Sequence, residues 1–167
     1  KIITTGGGGA IITNNKYIAQ KAKHLSTTAK VNHQWEYLHD DIGYNYRMPN
    51  INAALGCAQI EKIEEKIKIK RKIYKKYQNS FSNLNKIKLL NEPKNCRSNF
   101  WLQTIILDKE IYLMRDEILK LTNKNKINTR PVWKLIPNLN PFKSYPKSCL
   151  KNATELEKTI INLPSNY

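Results

Sequence analysis

Acidic residues are scarce in this chain: 13 Asp and Glu stand against 29 Lys and Arg, for a formal charge of +16 at pH 7. That balance excludes an obvious cationic partner. It leaves either an anionic one, such as nucleic acid or lipid headgroups, or a solvated lysine-rich face produced by a composition also rich in Ile and Asn. Aromatic residues interleaved with Arg, the stacking platform of single-strand binders, are missing. So is any apolar run long enough to span a bilayer, and residues 1–13 are too glycine-rich and too short of basic residues for a secretion signal. Cysteine occurs three times, at Cys57, Cys96 and Cys149. An odd number, wide spacing and no C-x-x-C pair argue against a disulfide framework or a zinc site and fit a reducing cytoplasm. His24 and His33 have no partner at ligand spacing, so no metal is expected. There is no internal repeat and no low-complexity tail. At 167 residues the chain is one ordinary domain or part of something larger.

Glycine is scarce too, and its placement is informative. All six glycines lie in or near two motifs: Gly6 to Gly9 after Lys1-Ile2-Ile3-Thr4-Thr5, and Gly43 and Gly56 around Gly43-Tyr44-Asn45-Tyr46-Arg47-Met48. Four consecutive glycines indicate positive φ or close approach of another backbone. Lys1–Thr5 and Ala10–Thr13, β-branched and apolar, predict two short strands joined by a tight reversal at the glycines. A Walker loop needs Gly-Lys followed by Ser or Thr at a helix start, and a dinucleotide fingerprint needs a helix opening at the glycines. Here Ala10-Ile11 follows instead, so a hairpin is the better reading.

Asn14 or Asn15 caps a predicted helix to about Leu25, with Tyr17, Ile18, Ala22 and Leu25 on one side. Residues 26–49 show no period but hold Trp35, Tyr37, His39, Tyr44, Tyr46 and Arg47; long polar, aromatic loops of this kind are often functional. Asn50 is read as the N-cap of the strongest helix, about 30 residues long, whose Ala53, Ala54, Gly56 and Ala58 keep its first turns slim. Further on, strands are expected within 98–107 and 127–132, helices over about 108–122 and 152–161, and a loop over 134–150. The fold class is α/β, and the second half reads as a small domain with a mixed sheet.

These residues resemble a known family. Lys1 through Thr13 is similar to the Schiff-base lysine segment of the DegT/DnrJ/StrS sugar aminotransferases. Ile42-Gly43-Tyr44-Asn45-Tyr46-Arg47-Met48 followed by Asn50–Gly56 resembles their G-x-N-x-R-M loop and A-A-x-G helix. Ile127–Trp133 and Ile161–Ser165 match two landmarks of their small domain in order. The likeness spans the chain and implies the C-terminal part of a type I pyridoxal phosphate (PLP) enzyme fold. Residues 1–48 would end the large PLP-binding domain, 49–80 form a long linking helix, and 81–167 the small C-terminal α/β domain. The subgroup most resembled acts on nucleotide-linked 4-keto-6-deoxy sugars and includes the legionaminic-acid pathway enzymes.

The resemblance implies a PLP-dependent aminotransferase that works as a homodimer. Lys1 is the implied catalytic residue, the amine that forms the imine with the cofactor and then carries a proton. Asn45 would reach the cofactor phosphate of the other subunit, and Arg47 would pair with a carboxylate or phosphate nearby. Tyr46 and Arg130 are candidate substrate contacts. Trp35, His39, Tyr44 and Trp133 line a pocket or pack an interface or sheet. The implied reaction moves an amino group from glutamate to a keto group on a nucleotide sugar, of the UDP-4-keto-6-deoxy-HexNAc type. The family's acidic partner for the pyridinium nitrogen, its ring-stacking aromatic and its phosphate-cup hydroxyls would precede Lys1. The chain alone is therefore expected to expose an apolar face and not to transaminate. Two rival readings stand beside this one: a basic polyanion-binding module, and a truncated, inactive interaction partner.

Overall fold

The computed structural model describes residues 1–166. Helix α1 (Lys16–Ser26) starts where the sequence places it. The Asn15 side-chain oxygen accepts from the backbone N–H of Tyr17 at 2.9 Å and of Ile18 at 3.2 Å, and Lys23 and His24 put positive charge in the last turn. Its apolar side stays largely uncovered, with Tyr17 and Ile18 exposed. After α1 the chain forms a miniature antiparallel ribbon, β1 (Lys30–Val31) with β2 (Leu38–His39), in register Lys30 to His39. These strands are too short to show a period in the sequence.

The hairpin expected over residues 1–13 does not form: no ladder includes either segment. Local side-chain bonds take up backbone groups instead, Thr5 Oγ1 donating to the Gly7 carbonyl at 2.7 Å and Gly6 N–H donating to Thr4 Oγ1 at 3.1 Å. The long helix is also divided. α2 (Asn50–Glu61) and α3 (Ile63–Phe81) are separated by Lys62, whose backbone leaves helical geometry at φ −105° and ψ 11°. No Pro or Gly marks that break. Pro49, not Asn50, occupies the N-cap, and no side chain caps this end.

Contacts divide the chain into two compact units, Lys1 with Ile3–Ile63, and Ile2 with Glu64–Tyr167. The boundary falls within the segment read as one linking helix. In the second unit, β3 (Ile87–Leu89), β4 (Gln103–Leu107), β5 (Arg130–Pro131) and β6 (Ile160–Leu163) form a sheet in the order β3-β4-β6-β5. Every pairing is antiparallel, which corrects the mixed sheet expected from the strand–helix alternation. The reason is β6. It follows α5 (Lys151–Thr159) directly and enters between β4 and β5. An apolar run such as Ile160-Ile161-Asn162-Leu163 fits a helix end or a buried strand equally well by pattern alone. Helix α4 (Arg115–Lys124), preceded by a 3-10 turn at Tyr112–Met114, and two further 3-10 turns within residues 134–150 complete the unit.

β4 buries Gln103, Ile105 and Leu107, and with Ile161 the last two make the core, against Phe81, Leu89, Ile118 and Leu163 among others. Cross-strand Thr104 donates to the Asn162 side-chain oxygen at 2.9 Å. Helix α3 is bolted to this sheet by Tyr74, stacked on Phe100 at 4.2 Å, by the Tyr77 hydroxyl donating to the Pro164 carbonyl at 2.9 Å, and by Lys70 Nζ donating to the Ser165 carbonyl. Arg71 adds a bidentate pair with Glu92, the shortest contact 2.9 Å. On its outer side α3 exposes Lys68, Lys72, Lys75 and Lys76, a solvated basic face. Ile161 has no exposed surface. Removing one methylene there in Ile161→Val should cost about 1 kcal/mol with an unchanged denaturant slope, measured by urea unfolding.

Candidate active site

The glycine run and the start of α2 are packed together within the first unit. Gly6 and Gly8 have φ of +75° and +116°, so these two, rather than all four, carry the conformational demand. A Cβ on Gly8 would lie 2.8 Å from the Met48 methyl carbon, and one on Gly6 would lie 3.4 Å from the Asn52 amide nitrogen. Asn52 donates to the Thr5 carbonyl at 2.6 Å. Gly56 is the one buried residue of α2, and a Cβ there would meet the Thr5 methyl at 3.1 Å. The slim helix turns thus admit the chain that leads from Lys1, as the small side chains of residues 53–58 suggest.

The second motif is held on the C-terminal end of α1. Tyr44 N–H donates to the Leu25 carbonyl at 2.7 Å, Thr28 N–H to the Tyr44 carbonyl at 3.0 Å, and Tyr46 N–H to the Ser26 carbonyl at 2.9 Å. Thr27 and Asn45 form an isolated antiparallel bridge. The approach is so close that a Cβ on Gly43 would sit 2.3 Å from the Ala29 nitrogen and 2.3 Å from the Thr28 carbonyl carbon. Thr28 and Ala29 themselves have left-handed φ, 68° and 50°, and Ala29 is fully buried.

Around this junction lie five charged or titratable side chains. Lys21 Nζ donates to Asp41 Oδ2 at 2.5 Å, and His24 Nε2 lies 2.5 Å from Asp40 Oδ1. His39 Nδ1 lies 2.7 Å from the Thr28 carbonyl oxygen. The Lys21 hydrogen bond, then the Ile42 N–H, hold the Asp41 carboxyl below its usual range. Because this folded-state pKa is lowered, its stabilisation is present above the ordinary carboxylate pKa and fades as pH falls through the lowered value.

Of the residues singled out from sequence, Lys1, Asn45, Tyr46 and Arg47 belong to this unit and all are exposed. Asn45 has a pinned backbone, and its carboxamide makes no hydrogen bond to another described residue. Tyr46 stacks on Tyr44 at 5.2 Å. Trp35 and Tyr37 are exposed on the ribbon's connection, with Lys30 Nζ 4.4 Å over the Tyr37 ring. Arg130 belongs to the other unit, where it donates to Asn123 Oδ1 at 2.8 Å and to the Thr129 carbonyl at 2.9 Å. Trp133 stacks on Trp101 at 6.3 Å. The residues that sequence reasoning gave no role are Asn52, Met48, Thr28 and Ala29. Gly43, conspicuous in a glycine-poor chain, is the signal for Thr28 and Ala29, and Gly6 and Gly8 are the signal for Asn52 and Met48.

No group of three or more His, Cys, Asp or Glu suited to a metal occurs among the described residues, and no described helix is long and apolar enough to cross a membrane. The three cysteines are exposed and free.

Known proteins resemble this chain in sequence and fold. The chain is 37% identical to EpsN of Bacillus subtilis (strain 168), provisionally named a pyridoxal phosphate-dependent aminotransferase, over 99% of the chain and 43% of that protein. It is 33% identical to a GDP-perosamine synthase of Vibrio cholerae over its full length and 42% of that protein. Among solved structures it superposes on Helicobacter pylori PseC, an aminotransferase of pseudoaminic acid biosynthesis, with a TM-score of 0.89 at 24% identity, covering 98% of the chain and 45% of PseC. The chain thus spans less than half the length of these relatives. The glycine-run lysine segment, the Asn45 loop and the antiparallel small unit all lie inside the 1–167 match to one sequence family, and the chain belongs to the DegT/DnrJ/EryC1/StrS aminotransferases.

Proposed function

We propose that this chain supplies the lysine, one phosphate contact and the small domain of a PLP-dependent aminotransferase acting on a nucleotide-linked keto sugar. The observation that carries the reading is the packing of Thr5–Gly8, the stretch that follows Lys1 and its strand-like neighbours, on Met48, Asn52 and Gly56. It joins the two motifs of the resemblance in one unit and leaves the Lys1 amine and the Asn45 carboxamide exposed. Those groups suit the cofactor: an amine for its aldehyde, and an uncommitted amide donor for its phosphate. PLP, when bound, supplies the electron sink. Lys1 Nζ would hold the cofactor through its aldehyde and, when free, would serve as the base that carries a proton. Asn45 binds a phosphate oxygen across the interface of a homodimer, with Arg47 as its cationic neighbour. Tyr46 and Arg130 contact the substrate. Among the described residues only Nη1 of Arg130 is engaged, which leaves its other donors to meet an anion.

The domain reading goes with this: residues 1–48 as the end of the large domain, 49–80 as the link, and 81–167 as the small domain. The substrate we favour is a UDP-4-keto-6-deoxy-HexNAc, with glutamate as donor. The exposed thiols support a reducing compartment, the cytoplasm. Full-length protein tested with glutamate against UDP-, GDP- and dTDP-linked keto sugars should form 2-oxoglutarate with one class. Turnover with none, in protein that has bound PLP, would count against a sugar substrate.

Asn45→Ala in the same protein should weaken PLP retention about ten- to one-hundred-fold, the scale of one hydrogen bond to a charged group. Spectral titration of the apoenzyme with PLP measures it. Unchanged retention would remove Asn45 from the site.

A further inference from the structure

We infer that Asp40, gripped by His24, is a positioning residue for Asn45. This rests on the reading of Asn45 as a cofactor-phosphate contact. Lys21 and His24 are three residues apart and so share a face of α1, one turn before its end. Asp40 and Asp41 are adjacent and reach back to that face in parallel, His24 to Asp40 and Lys21 to Asp41, each at 2.5 Å. The same two-residue step begins the turn into Gly43: Asp40 N–H donates to the Ala29 carbonyl at 3.3 Å, and the Asp41 carboxylate accepts from Ile42 N–H at 2.8 Å. Asn45 follows directly, its backbone bridged to Thr27.

The clasp therefore closes the loop on α1 just ahead of the residue that must present an amide. The charged and titratable groups facing it are Tyr17, Lys21 and His24 from α1, His39 from β2, and Asp40 and Asp41 just after it. A single exposed ion pair holds little. The Lys21–Asp41 ion pair and the His24–Asp40 hydrogen bond in parallel, both closing one loop, act on the fraction of molecules in which the loop is docked. Apparent affinity for a ligand read by Asn45 scales with that fraction.

The test is a double-mutant cycle on the full-length enzyme, reading the PLP dissociation constant by spectral titration rather than turnover. Asp40→Ala should raise that constant roughly three- to five-fold, the upper end of the range for breaking an exposed pair. Asp40→Asn, which keeps an acceptor for His24 Nε2–H, should stay within about two-fold of wild type. In an Asn45→Ala background, Asp40→Ala should add less than about two-fold, because the residue it positions is gone. His24→Ala breaks the same contact from the helix side and must behave as Asp40→Ala does. Wild-type affinity in both Asp40→Ala and His24→Ala, or additive losses in the cycle, would overturn this inference alone. An Asn45→Ala enzyme that keeps its PLP overturns the phosphate-contact reading and this inference together.

Discussion

Full-length Lys1→Ala protein is expected to lose transamination by at least the 10²- to 10⁴-fold that a positioned proton-transfer group contributes, and to lose covalent capture of PLP altogether. Alanine offers neither a nucleophile for the aldehyde nor a base for the substrate carbon, and no neighbour on the Lys1–Gly9 segment can stand in for it. The direct check is borohydride reduction followed by peptide mapping. Wild-type protein should carry one reduced pyridoxyl adduct, on Lys1. The variant should carry none, although 29 Lys and Arg make the chain rich in alternative amines and anion sites. That richness makes the experiment decisive. A polyanion-binding surface built from the exposed lysines of α3 would label diffusely or not at all, and its ligand binding would collapse with salt. Folded, full-length wild-type protein without an adduct at Lys1 would falsify the catalytic reading. An adduct at some other lysine would relocate the site.

The parts of the fold legible in the sequence are those fixed by neighbours a few residues away. Asn15 and the apolar spacing after it define α1, because a cap and a helical period are local properties. The parts that were not legible depend on distant partners. Residues 1–5 and 10–13 have strand-like composition, but a strand exists only with a ladder, and none reaches them. Ile160–Leu163 became a strand because β4 and β5 flank it, which an apolar tetrapeptide cannot announce. The break at Lys62 left no mark, since neither Pro nor Gly is near. The candidate site shows the same division. Lys1, Asn45 and Arg47 stand out through the motifs that resemble the family's. What holds them was hidden: Asn52 tying down Thr5, and two non-glycine residues, Thr28 and Ala29, in the left-handed conformation that receives Gly43.

Gly43→Ala is expected to be the most damaging single-methyl change in the first unit. The φ of Gly43 is not in the left-handed region, so the demand is for space rather than for conformational freedom. A Cβ would lie 2.3 Å from the Ala29 nitrogen, 2.3 Å from the Thr28 carbonyl carbon and 2.8 Å from the Thr28 Cα. All three are backbone atoms. They belong to the turn that donates Thr28 N–H to the Tyr44 carbonyl and Ala29 N–H to the His24 carbonyl. No side-chain rotation can relieve the overlap. The 43–46 segment must lift away from α1, breaking the bonds of Tyr44 and Tyr46 to Leu25 and Ser26. Overpacking against a fixed backbone should cost about 3 kcal/mol, read as a lower urea midpoint of the full-length apoenzyme. The same lift carries Asn45 off the Thr27 bridge, so PLP retention should fall at least as far as in Asn45→Ala. A variant with wild-type urea midpoint and wild-type PLP affinity would mean that residues 43–46 do not rest on Thr28 and Ala29. The anchoring of Asn45 would then have to be sought elsewhere in the enzyme.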